Sequence, residues 1–301
     1  MTPLQRYIAE EIATDHVDGL LSRREAMRRL ALLGVGTAAA TALIAACGSN
    51  SAEPSPSSTE TPTPQASPPP GMDTALATTP ITWAGPKGEL QGAWAQAAEP
   101  RGAILVIHEN KGLNDWVRTV AGRLAGVGYS SLAIDLLSGN GGTATFADPA
   151  EATAALGNRA PEDMVADLKS GIGEVSARTP GAKVAAIGFC MGGGLVWRLL
   201  AAGTPELAAA FPFYGPTPDD PDFAGSKDVA VLGFYGEQDQ RVNATEPMAR
   251  AALERAGLVH ELVTEPGANH AFFNDTGDRY DAGAAEDAWR RTLDWLSVHV
   301  G

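Results

Sequence analysis

Cysteine is scarce in this sequence, which has only Cys47 and Cys190 in 301 residues. A small secreted domain stabilised by disulfides would need several pairs of cysteines. Cys47 lies at the end of an apolar segment near the N-terminus, and Cys190 lies in the body of the chain. The sequence therefore predicts no disulfide framework and assigns the two cysteines separate roles.

Positively charged residues are also few. The chain has 22 Lys and Arg against 36 Asp and Glu, a formal net charge of −14, and its body contains no cluster of basic residues. A nucleic-acid surface needs such a cluster to meet the phosphates, so we exclude a nucleic-acid partner. Hydrophobic residues make up 44% of the chain and charged residues 19%, which is typical of a globular protein with a sizeable core.

Aromatic and large aliphatic residues are missing from residues 48–71, where Pro, Ser and Thr dominate the stretch GSNSAEPSPSSTETPTPQASPPPG. Such a segment has nothing to bury. We therefore predict a disordered tether over residues 48–72, followed by a folded domain over residues 73–301.

The segment before this tether has the composition of an export signal. Four arginines between residues 23 and 29 precede an uncharged run that ends at Cys47. The pair Arg23 and Arg24 resembles a twin-arginine signal, with ordinary secretion or an uncleaved membrane anchor as alternatives. The stretch LIAAC resembles a bacterial lipoprotein box, in which Cys47 would be lipidated after cleavage. We predict that residues 1–47 direct an extracytoplasmic lipoprotein to the membrane.

The predicted folded domain alternates apolar strand patterns with amphipathic helix patterns. This alternation predicts an α/β protein with a mostly parallel central sheet and helices on both faces. The predicted strands are ITWAGPKGELQGAWA (as a hairpin), GAILVIHE, YSSLAIDL, KVAAIGF, LAAAFPFY, DVAVLGFYG and VHELVTEP, and the predicted helices cover about 114–125, 161–178, 192 onward, 246–256 and 282–299.

The stretch AAIGFCMGGGLVWRLL places Cys190 between a predicted strand and a predicted helix. GFCMGG has the form of a nucleophile elbow, a sharp turn that lifts its central side chain above the sheet. Side chains at Gly188 and Gly192 would collide in such a turn. The N-terminal end of the following helix would favour a thiolate. The alternative is a buried structural cysteine.

Ligands of such sheets bind at the carboxyl ends of the strands, and an acid and a base follow Cys190 at these positions. Asp239 follows a strand, although it could instead be a solvated turn carboxylate. His270 is the histidine that lies in a loop after the last strand. Cys190, Asp239 and His270 together predict acyl transfer. Asp239 would orient His270, and His270 would take the thiol proton. Cys190 would then form a thioester that water hydrolyses. The backbone N–H groups of Met191 and Asn110 would hold the oxyanion.

Five blocks of residues occur in order along the chain: HENKGLN at 108–114, IDLL at 134–137, GFCMGG at 188–193, GEQD at 236–239 and HAFFNDTGDRY at 270–280. With these blocks the chain resembles the dienelactone hydrolase family of α/β-hydrolases over residues 78–298. The resemblance implies an α/β-hydrolase fold and hydrolysis of an ester or lactone. It also implies a role for Glu109. In the family, the glutamate at this position lies by the nucleophilic cysteine and keeps its thiol protonated until substrate arrives.

The sequence departs from the family at two positions. The family's type enzymes bind a substrate carboxylate with two arginines, one of them four residues after the triad histidine. In this chain Asn274 stands four residues after His270, and no arginine lies near Pro149, the expected position of the second. Arg159 or Arg279 would have to substitute for them. The resemblance therefore indicates the family rather than dienelactone as the substrate.

Three alternatives remain open at this point. The triad could serve a thioesterase or a broad carboxylesterase, the chain could be a non-catalytic binding lipoprotein, or Cys190 could be a redox sensor that needs an external thiol. No cofactor or metal is predicted, because HENK at 108–111 lacks the second histidine of a zinc motif. The expected partners are a small-molecule ester or lactone and the membrane, and the expected state is a monomer.

Overall fold

The computed structural model describes residues 1–48 and 68–301, so most of the predicted tether and the side chain of Cys47 lie outside the described residues. The chain forms two compact units. The first comprises Met1–Pro68 and Ala147–Asn158, and the second comprises Pro69–Phe146 and Arg159–Gly301.

The described residues contain ten α-helices and eight strands, together with three short 3-10 turns at Met72–Thr74, Ser138–Asn140 and Thr143–Thr145. The helices are α1 (Pro3–Val17), α2 (Arg23–Leu32), α3 (Thr37–Gly48), α4 (Asp115–Gly126), α5 (Pro149–Gly157), α6 (Pro161–Arg178), α7 (Met191–Ala201), α8 (Gln240–Asn243), α9 (Glu246–Ala256) and α10 (Ala282–His299). The strands are β1 (Thr79–Gly85), β2 (Gly88–Ala95), β3 (Gly102–Ile107), β4 (Tyr129–Asp135), β5 (Val184–Phe189), β6 (Leu207–Phe213), β7 (Ala230–Gly236) and β8 (His260–Glu265).

The first unit consists of α1, α2, α3 and α5. Helix α1 begins with a capping box, in which the Thr2 hydroxyl accepts a hydrogen bond from Gln5 N–H and the Gln5 side chain accepts one from Thr2 N–H. Arg28 of α2 donates to Asp148, the residue before α5, over 2.7 Å. Among the described helices, none has both the length and the apolar composition needed to cross a membrane.

The second unit is built on one eight-stranded sheet in the order β1-β2-β4-β3-β5-β6-β7-β8. Strands β1 and β2 form an antiparallel hairpin, β2 pairs antiparallel with β4, and all other neighbours are parallel. Every residue of β3, β4, β5 and β7 is buried, which explains why these segments are continuous apolar runs. The predicted mostly parallel α/β sheet is confirmed.

The order of the strands explains where a ligand can bind. The chain leaves β3 to form β4 on one side of it and then crosses over to form β5 on the other side. The connections therefore diverge at the carboxyl ends of β3 and β5, where open α/β sheets have a crevice. Glu109 follows β3 at this point, and Cys190 follows β5.

Aromatic side chains pack closely beneath this edge of the sheet. Phe213 lies at the centre of the cluster, with ring centroids 5.0 Å from Phe189, 4.4 Å from Phe234 and 5.3 Å from Phe273. Each such pair contributes about 0.5–1.5 kcal/mol beyond the burial of its surface. The cluster gives the elbow at Cys190 a rigid base.

Each strand and helix that the sequence predicts in the second unit is present, with boundaries shifted by a few residues. Helix α7 begins at Met191, directly after Cys190, rather than near Gly192. Helix α5 lies in a stretch for which the sequence analysis predicts no element.

Candidate active site

The backbone at Cys190 has the conformation of a sharp elbow. Cys190 has φ 55° and ψ −115°, a region that residues other than glycine rarely adopt. Its N–H donates to Phe213 O over 3.0 Å, which ties the turn to the neighbouring strand. Strained backbone conformations of this kind are concentrated at functional sites.

Two glycines make the elbow sterically possible. A Cβ on Gly188 would lie 2.2 Å from the carbonyl oxygen of Gly192, and a Cβ on Gly192 would lie 2.4 Å from the carbonyl oxygen of Ile107. The expected collision of side chains at these two positions is thus confirmed. The second contact also shows that the end of β3 lies against the elbow.

Asp239 and His270 form a buried acid–base pair. His270 Nδ1 lies 2.5 Å from Asp239 Oδ2, and both residues are buried. Burial raises the pKa of Asp239, but the His270 ring, Arg241 and the N–H of Val242 outweigh burial and hold this pKa below its usual value. Asp239 is therefore an ionised acceptor that keeps a proton on Nδ1 and directs the lone pair of Nε2 away from itself.

Cys190 lies next to this pair. Its Sγ and a ring nitrogen of His270 lie within 4.8 Å of each other. Nucleophile and base often have loose geometry in the absence of substrate, and this separation is within reach of a hydrogen bond after a small movement.

Glu109 is held at the same edge of the sheet by two side chains from distant parts of the chain. Asn274 Nδ2 donates to Glu109 Oε2 over 2.8 Å, and the Tyr214 hydroxyl lies 3.4 Å from Glu109 Oε1. Burial raises the pKa of Tyr214 well above its usual value, and the nearby Glu109 and Cys190 raise it further. Tyr214 therefore lies close to both the carboxylate and the thiol and donates its proton rather than losing it.

Backbone strain is concentrated in this region. Of five non-glycine residues with positive φ among the described residues, three belong to it: Cys190 at 55°, Tyr214 at 36° and Ala271, directly after His270, at 61°. Each costs on the order of 1–3 kcal/mol and persists because the surrounding structure fixes it. The strain indicates that the three loops are held in place for function.

His108 does not serve as a base. One ring nitrogen, Nδ1, donates to Glu109 O over 2.6 Å, and Nε2 accepts from Leu136 N–H over 3.2 Å. Burial lowers the pKa of His108, so the ring is neutral. Both nitrogens are used to hold the loop that carries Glu109.

The two backbone donors predicted for the oxyanion lie in loops that are adjacent. Met191 is the first residue of α7, so its N–H has no acceptor within the helix. Asn110 is buried three residues after the end of β3, and the carbonyl oxygen of His108 approaches the elbow at Gly192. The arrangement is compatible with both donors facing one oxygen atom above Cys190.

A buried ion pair anchors the loop that carries His270. The Arg123 side chain, which is 1% exposed, donates to Asp275 over 2.8 Å, and Trp116 Nε1 donates to the same carboxylate over 2.8 Å. Arg123 and Trp116 belong to α4. The loop is therefore fixed to a helix of the second unit, directly beside Asn274.

Arg159 does not take the place of an arginine that binds substrate. Its guanidinium donates to Asp167 over 2.7 Å and to the carbonyl oxygen of Leu136. Asp135, another residue at a strand end, accepts hydrogen bonds from Leu137 N–H, Thr143 N–H and the Thr143 hydroxyl. Both charged side chains stabilise the loop after β4.

Sequence reasoning missed the roles of Tyr214 and Asn274. Tyr214 is one of the residues that follow a strand, which is the pattern that could have indicated it. Asn274 differs from its surroundings in the sequence only because it stands where the family's type enzymes have an arginine. No pattern in the sequence indicates that its side chain contacts a carboxylate 165 residues away.

Comparison with known proteins agrees with this geometry. The model of the dienelactone hydrolase family matches residues 90–300. The chain belongs to this family. A relative from Escherichia coli strain K12, named "Putative carboxymethylenebutenolidase", is 33% identical over 220 residues, which cover 68% of this chain and 80% of the relative.

Solved structures of family members have the same fold. A dienelactone hydrolase-like promiscuous phosphotriesterase from metagenomic libraries has a TM-score of 0.64 and 27% identity, and the match covers 75% of this chain and 100% of that one. The dienelactone hydrolase of Anabaena variabilis, at 19% identity and a TM-score of 0.58, covers 76% of this chain and 100% of that one and supports the fold alone. The chain is thus a hydrolase that acts on an ester or lactone bond of a small molecule.

Proposed function

We propose that this hydrolase cleaves its ester or lactone by covalent catalysis with Cys190, His270 and Asp239. The observation that carries the proposal is the buried Asp239–His270 pair, with a His270 nitrogen within 4.8 Å of Cys190 Sγ on a strained elbow. This is the arrangement of a nucleophile, a base and a residue that orients the base.

In the first half of the reaction, His270 Nε2 takes the proton from Cys190 Sγ as the sulfur attacks the carbonyl carbon. The carbon–oxygen bond of the leaving alcohol then breaks, and the imidazolium returns the proton to the leaving oxygen. Asp239 stabilises the imidazolium without taking its proton. The backbone N–H groups of Met191 and Asn110 donate to the oxyanion.

In the second half, water hydrolyses the resulting thioester. His270 takes a proton from water as its oxygen attacks the thioester carbonyl, the carbon–sulfur bond breaks, and the proton returns to Cys190. The N-terminal end of α7 favours the thiolate as the leaving group. Glu109 modulates the thiol before substrate binds, because a nearby carboxylate disfavours the thiolate.

The proposal is tested by pre-steady-state kinetics with a chromogenic short-chain ester. The full chain, kept reduced, should release a burst of one chromophore per enzyme and then turn over steadily. The Cys190→Ala variant should lose both phases. The same steady rate in the variant would exclude Cys190 as the nucleophile. A wild-type chain that binds esters and lactones but turns none of them over would indicate a binding lipoprotein.

Thioesters and a range of carboxylic esters should be assayed in the same way, because the same triad could serve a thioesterase or a broad carboxylesterase. The rate ratio between thioesters and oxygen esters with equal acyl groups separates these two activities. Lactones tested alongside them show whether a cyclic substrate is preferred.

We also propose that the protein is exported and attached to the membrane through a lipid on Cys47. The support is the arrangement of Arg23 and Arg24, the uncharged run and the LIAAC stretch. In cells fed a labelled fatty acid, the wild-type chain should carry label in the membrane fraction, and Cys47→Ala should not. An unlabelled wild-type chain would contradict lipidation.

A further inference from the structure

Both ends of α5 are bound by side chains from the N-terminal helices. At its start, Asp148 is the N-cap residue and accepts a hydrogen bond from Ala150 N–H over 2.9 Å, and the same carboxylate accepts one from Arg28 of α2 over 2.7 Å. At its other end, the Gln5 side chain of α1 donates over 2.7 Å to the side chain of Asn158, the C-cap residue. Each end of α5 is therefore tied to a different helix of the first unit.

The last residue of α5, Gly157, lies close to apolar side chains of the same two helices. A Cβ on Gly157 would lie 2.4 Å from Leu33 Cδ1 and 3.3 Å from Ile8 Cδ1. Ile8 belongs to α1, Leu33 directly follows α2, and both are buried. Among the described elements, α1 and α2 are the ones that α5 contacts most extensively. The packing of α5 thus depends mainly on residues 1–33.

Helix α5 is too short to be stable by itself. It has nine residues, and helices shorter than about 12–15 residues are marginal in water without tertiary packing. Its buried side chains are those of Ala150, Ala152, Ala154 and Leu156, which remove little apolar surface from water. The helical order of α5 therefore has to come from the helices on which it packs.

The chain on either side of α5 is fixed within the second unit. Before α5, Thr143 donates to Asp135 from its N–H and from its hydroxyl, each over 2.7 Å. After α5, Arg159 donates to Asp167 over 2.7 Å. All four residues belong to the second unit. A loss of order in α5 would therefore be confined to the stretch between Thr143 and Arg159.

We propose that α5 is an order–disorder switch controlled by the N-terminal helices. In the full chain, residues 1–33 hold residues 147–158 as a helix. Removal of residues 1–46 on export takes away these packing partners, and residues 147–158 then lose their helical order. The removal step rests on the proposed lipidation of Cys47, which implies cleavage directly before that residue. The dependence of α5 on residues 1–33 rests on the contacts alone.

The switch lies in the sequence of the hydrolase itself, because α5 belongs to the connection between β4 and α6. It would therefore make the uncleaved chain differ from the cleaved enzyme in more than the presence of a signal. The pair Arg23 and Arg24 stays exposed while α2 is docked. Docking thus leaves the proposed twin-arginine pair accessible, and it is the removal of the segment that releases α5.

The test is hydrogen–deuterium exchange, read by mass spectrometry of the peptic peptides that cover residues 147–158. A protease site is introduced into the Pro-, Ser- and Thr-rich stretch at residues 52–66, the folded full chain is cut there, and the N-terminal part is removed by chromatography. The amides of residues 147–158 should then exchange at least tenfold faster than in the uncut chain, because a segment that loses its helix loses its protection. Peptides from β3 and β5 should exchange as before.

The variant Gly157→Leu tests the docking contact in the uncut chain. Leucine favours a helix more than glycine does, so the change would slow exchange if α5 were stable by itself. Against Leu33 and Ile8 the added side chain collides, so we expect residues 147–158 to exchange about tenfold faster. Gly173→Leu in α6 is the matched control and should leave this exchange unchanged, because nothing lies within 4 Å of its added Cβ.

The pair of Arg28 and Asp148 supplies a milder set of variants. Arg28→Glu places a negative charge opposite Asp148 and should raise the exchange rate of residues 147–158 about two- to threefold, because ion pairs between partly exposed side chains are weak. Asp148→Asn removes the charge but keeps a residue type that caps helices. In this background Arg28→Glu should have a smaller effect. If Gly157→Leu fails to fold, this cycle decides the question.

Two results would overturn the inference. One is equal exchange of residues 147–158 in the cut and uncut chains, and the other is slower exchange in Gly157→Leu, because α5 would then be stable without the N-terminal helices. The fatty-acid label on Cys47 tests export separately. An unlabelled wild-type chain whose exchange followed these predictions would refute the proposed lipidation, and the dependence of α5 on residues 1–33 would stand.

Discussion

His270 and Asp239, 31 residues apart in the chain, meet through a 2.5 Å contact between Nδ1 and Oδ2. The two loops that carry them are also joined by hydrogen bonds, because Gln238 N–H donates to Ala268 O over 2.9 Å and Gly267 N–H donates to the Glu237 carboxylate over 2.7 Å. The orientation of the His270 ring is thus set by both side-chain and backbone contacts.

Replacing Asp239 with Asn should lower kcat strongly. The amide would donate to His270 Nδ1 and favour the tautomer that carries its proton on Nε2, which then cannot accept the thiol proton. Where a triad acid is changed in this way, kcat falls by about 10⁴-fold. Steady-state kinetics with an ester substrate measures the change, and Asp294→Asn on the exposed face of α10 is the control. An unchanged kcat would remove Asp239 from the mechanism.

Replacing Gly188 with Ala should destabilise the second unit. The added Cβ would lie 2.2 Å from Gly192 O and 2.9 Å from a Val196 methyl group, so the elbow would have to shift. We expect the free energy of unfolding to fall by about 2–4 kcal/mol in urea titrations. Gly173→Ala in α6 is the matched control, because nothing lies within 4 Å of its added Cβ. Equal stabilities of the two variants would contradict the steric argument.

Glu265 should make stability depend on pH. It is 3% exposed, and among the described residues no hydrogen-bond partner contacts its Oε1. Burial, followed by the nearby Asp287, raises its pKa from 4.5 to about 7. The folded state therefore binds more protons than the unfolded state between these values, and the free energy of unfolding falls as pH rises through this window.

The variant Glu265→Gln tests this effect. It resembles the protonated residue, so it should match the wild type near pH 5 and be more stable by on the order of 1–2 kcal/mol near pH 8, after allowance for screening by solvent. Urea unfolding at the two pH values measures the difference. Glu254→Gln, on the exposed side of α9, is the matched control variant. A constant difference between variant and wild type at both pH values would argue against a titrating Glu265.

Replacing Arg123 with Met should reduce both stability and activity. The change leaves the Asp275 carboxylate largely buried without its cation, which costs about 3–5 kcal/mol for a buried pair. The loop that carries His270 would lose its anchor to α4. The double variant Arg123→Met with Asp275→Asn should recover much of the stability, and a double-mutant cycle of unfolding free energies measures the coupling. Additive effects of the two changes would mean that the pair is not coupled.

Most of the second unit could be predicted from the sequence, because its elements are encoded in local patterns. Strands β3 and β5 are short apolar runs next to turn residues, and α6 and α10 have clear amphipathic periods. The elbow is local too, since the glycines of GFCMGG and Cys190 lie within six residues. The order of Cys190, Asp239 and His270 along the chain was sufficient to suggest their roles, although not their contact.

Other features could not be predicted in this way. Helix α5 is short and alanine-rich, and it belongs to the first unit with helices more than 100 residues earlier in the chain. Nothing in its own sequence indicates these neighbours. The same holds for Asn274, whose amide would be an ordinary loop side chain without the carboxylate that the fold brings to it.

The α/β pattern, the position of the elbow and the family can all be recognised in the sequence, because each depends on residues that are neighbours in the chain or on motifs in a fixed order. Which polar side chains meet at the edge of the sheet, where β3, β5, β7 and β8 have their carboxyl ends, depends on the packing of the whole chain. There the sheet brings Asn274 to Glu109 and His270 to Asp239. These contacts span 165 and 31 residues, and hydrogen bonds of this kind depend on atomic positions that only the packed sheet and its loops define.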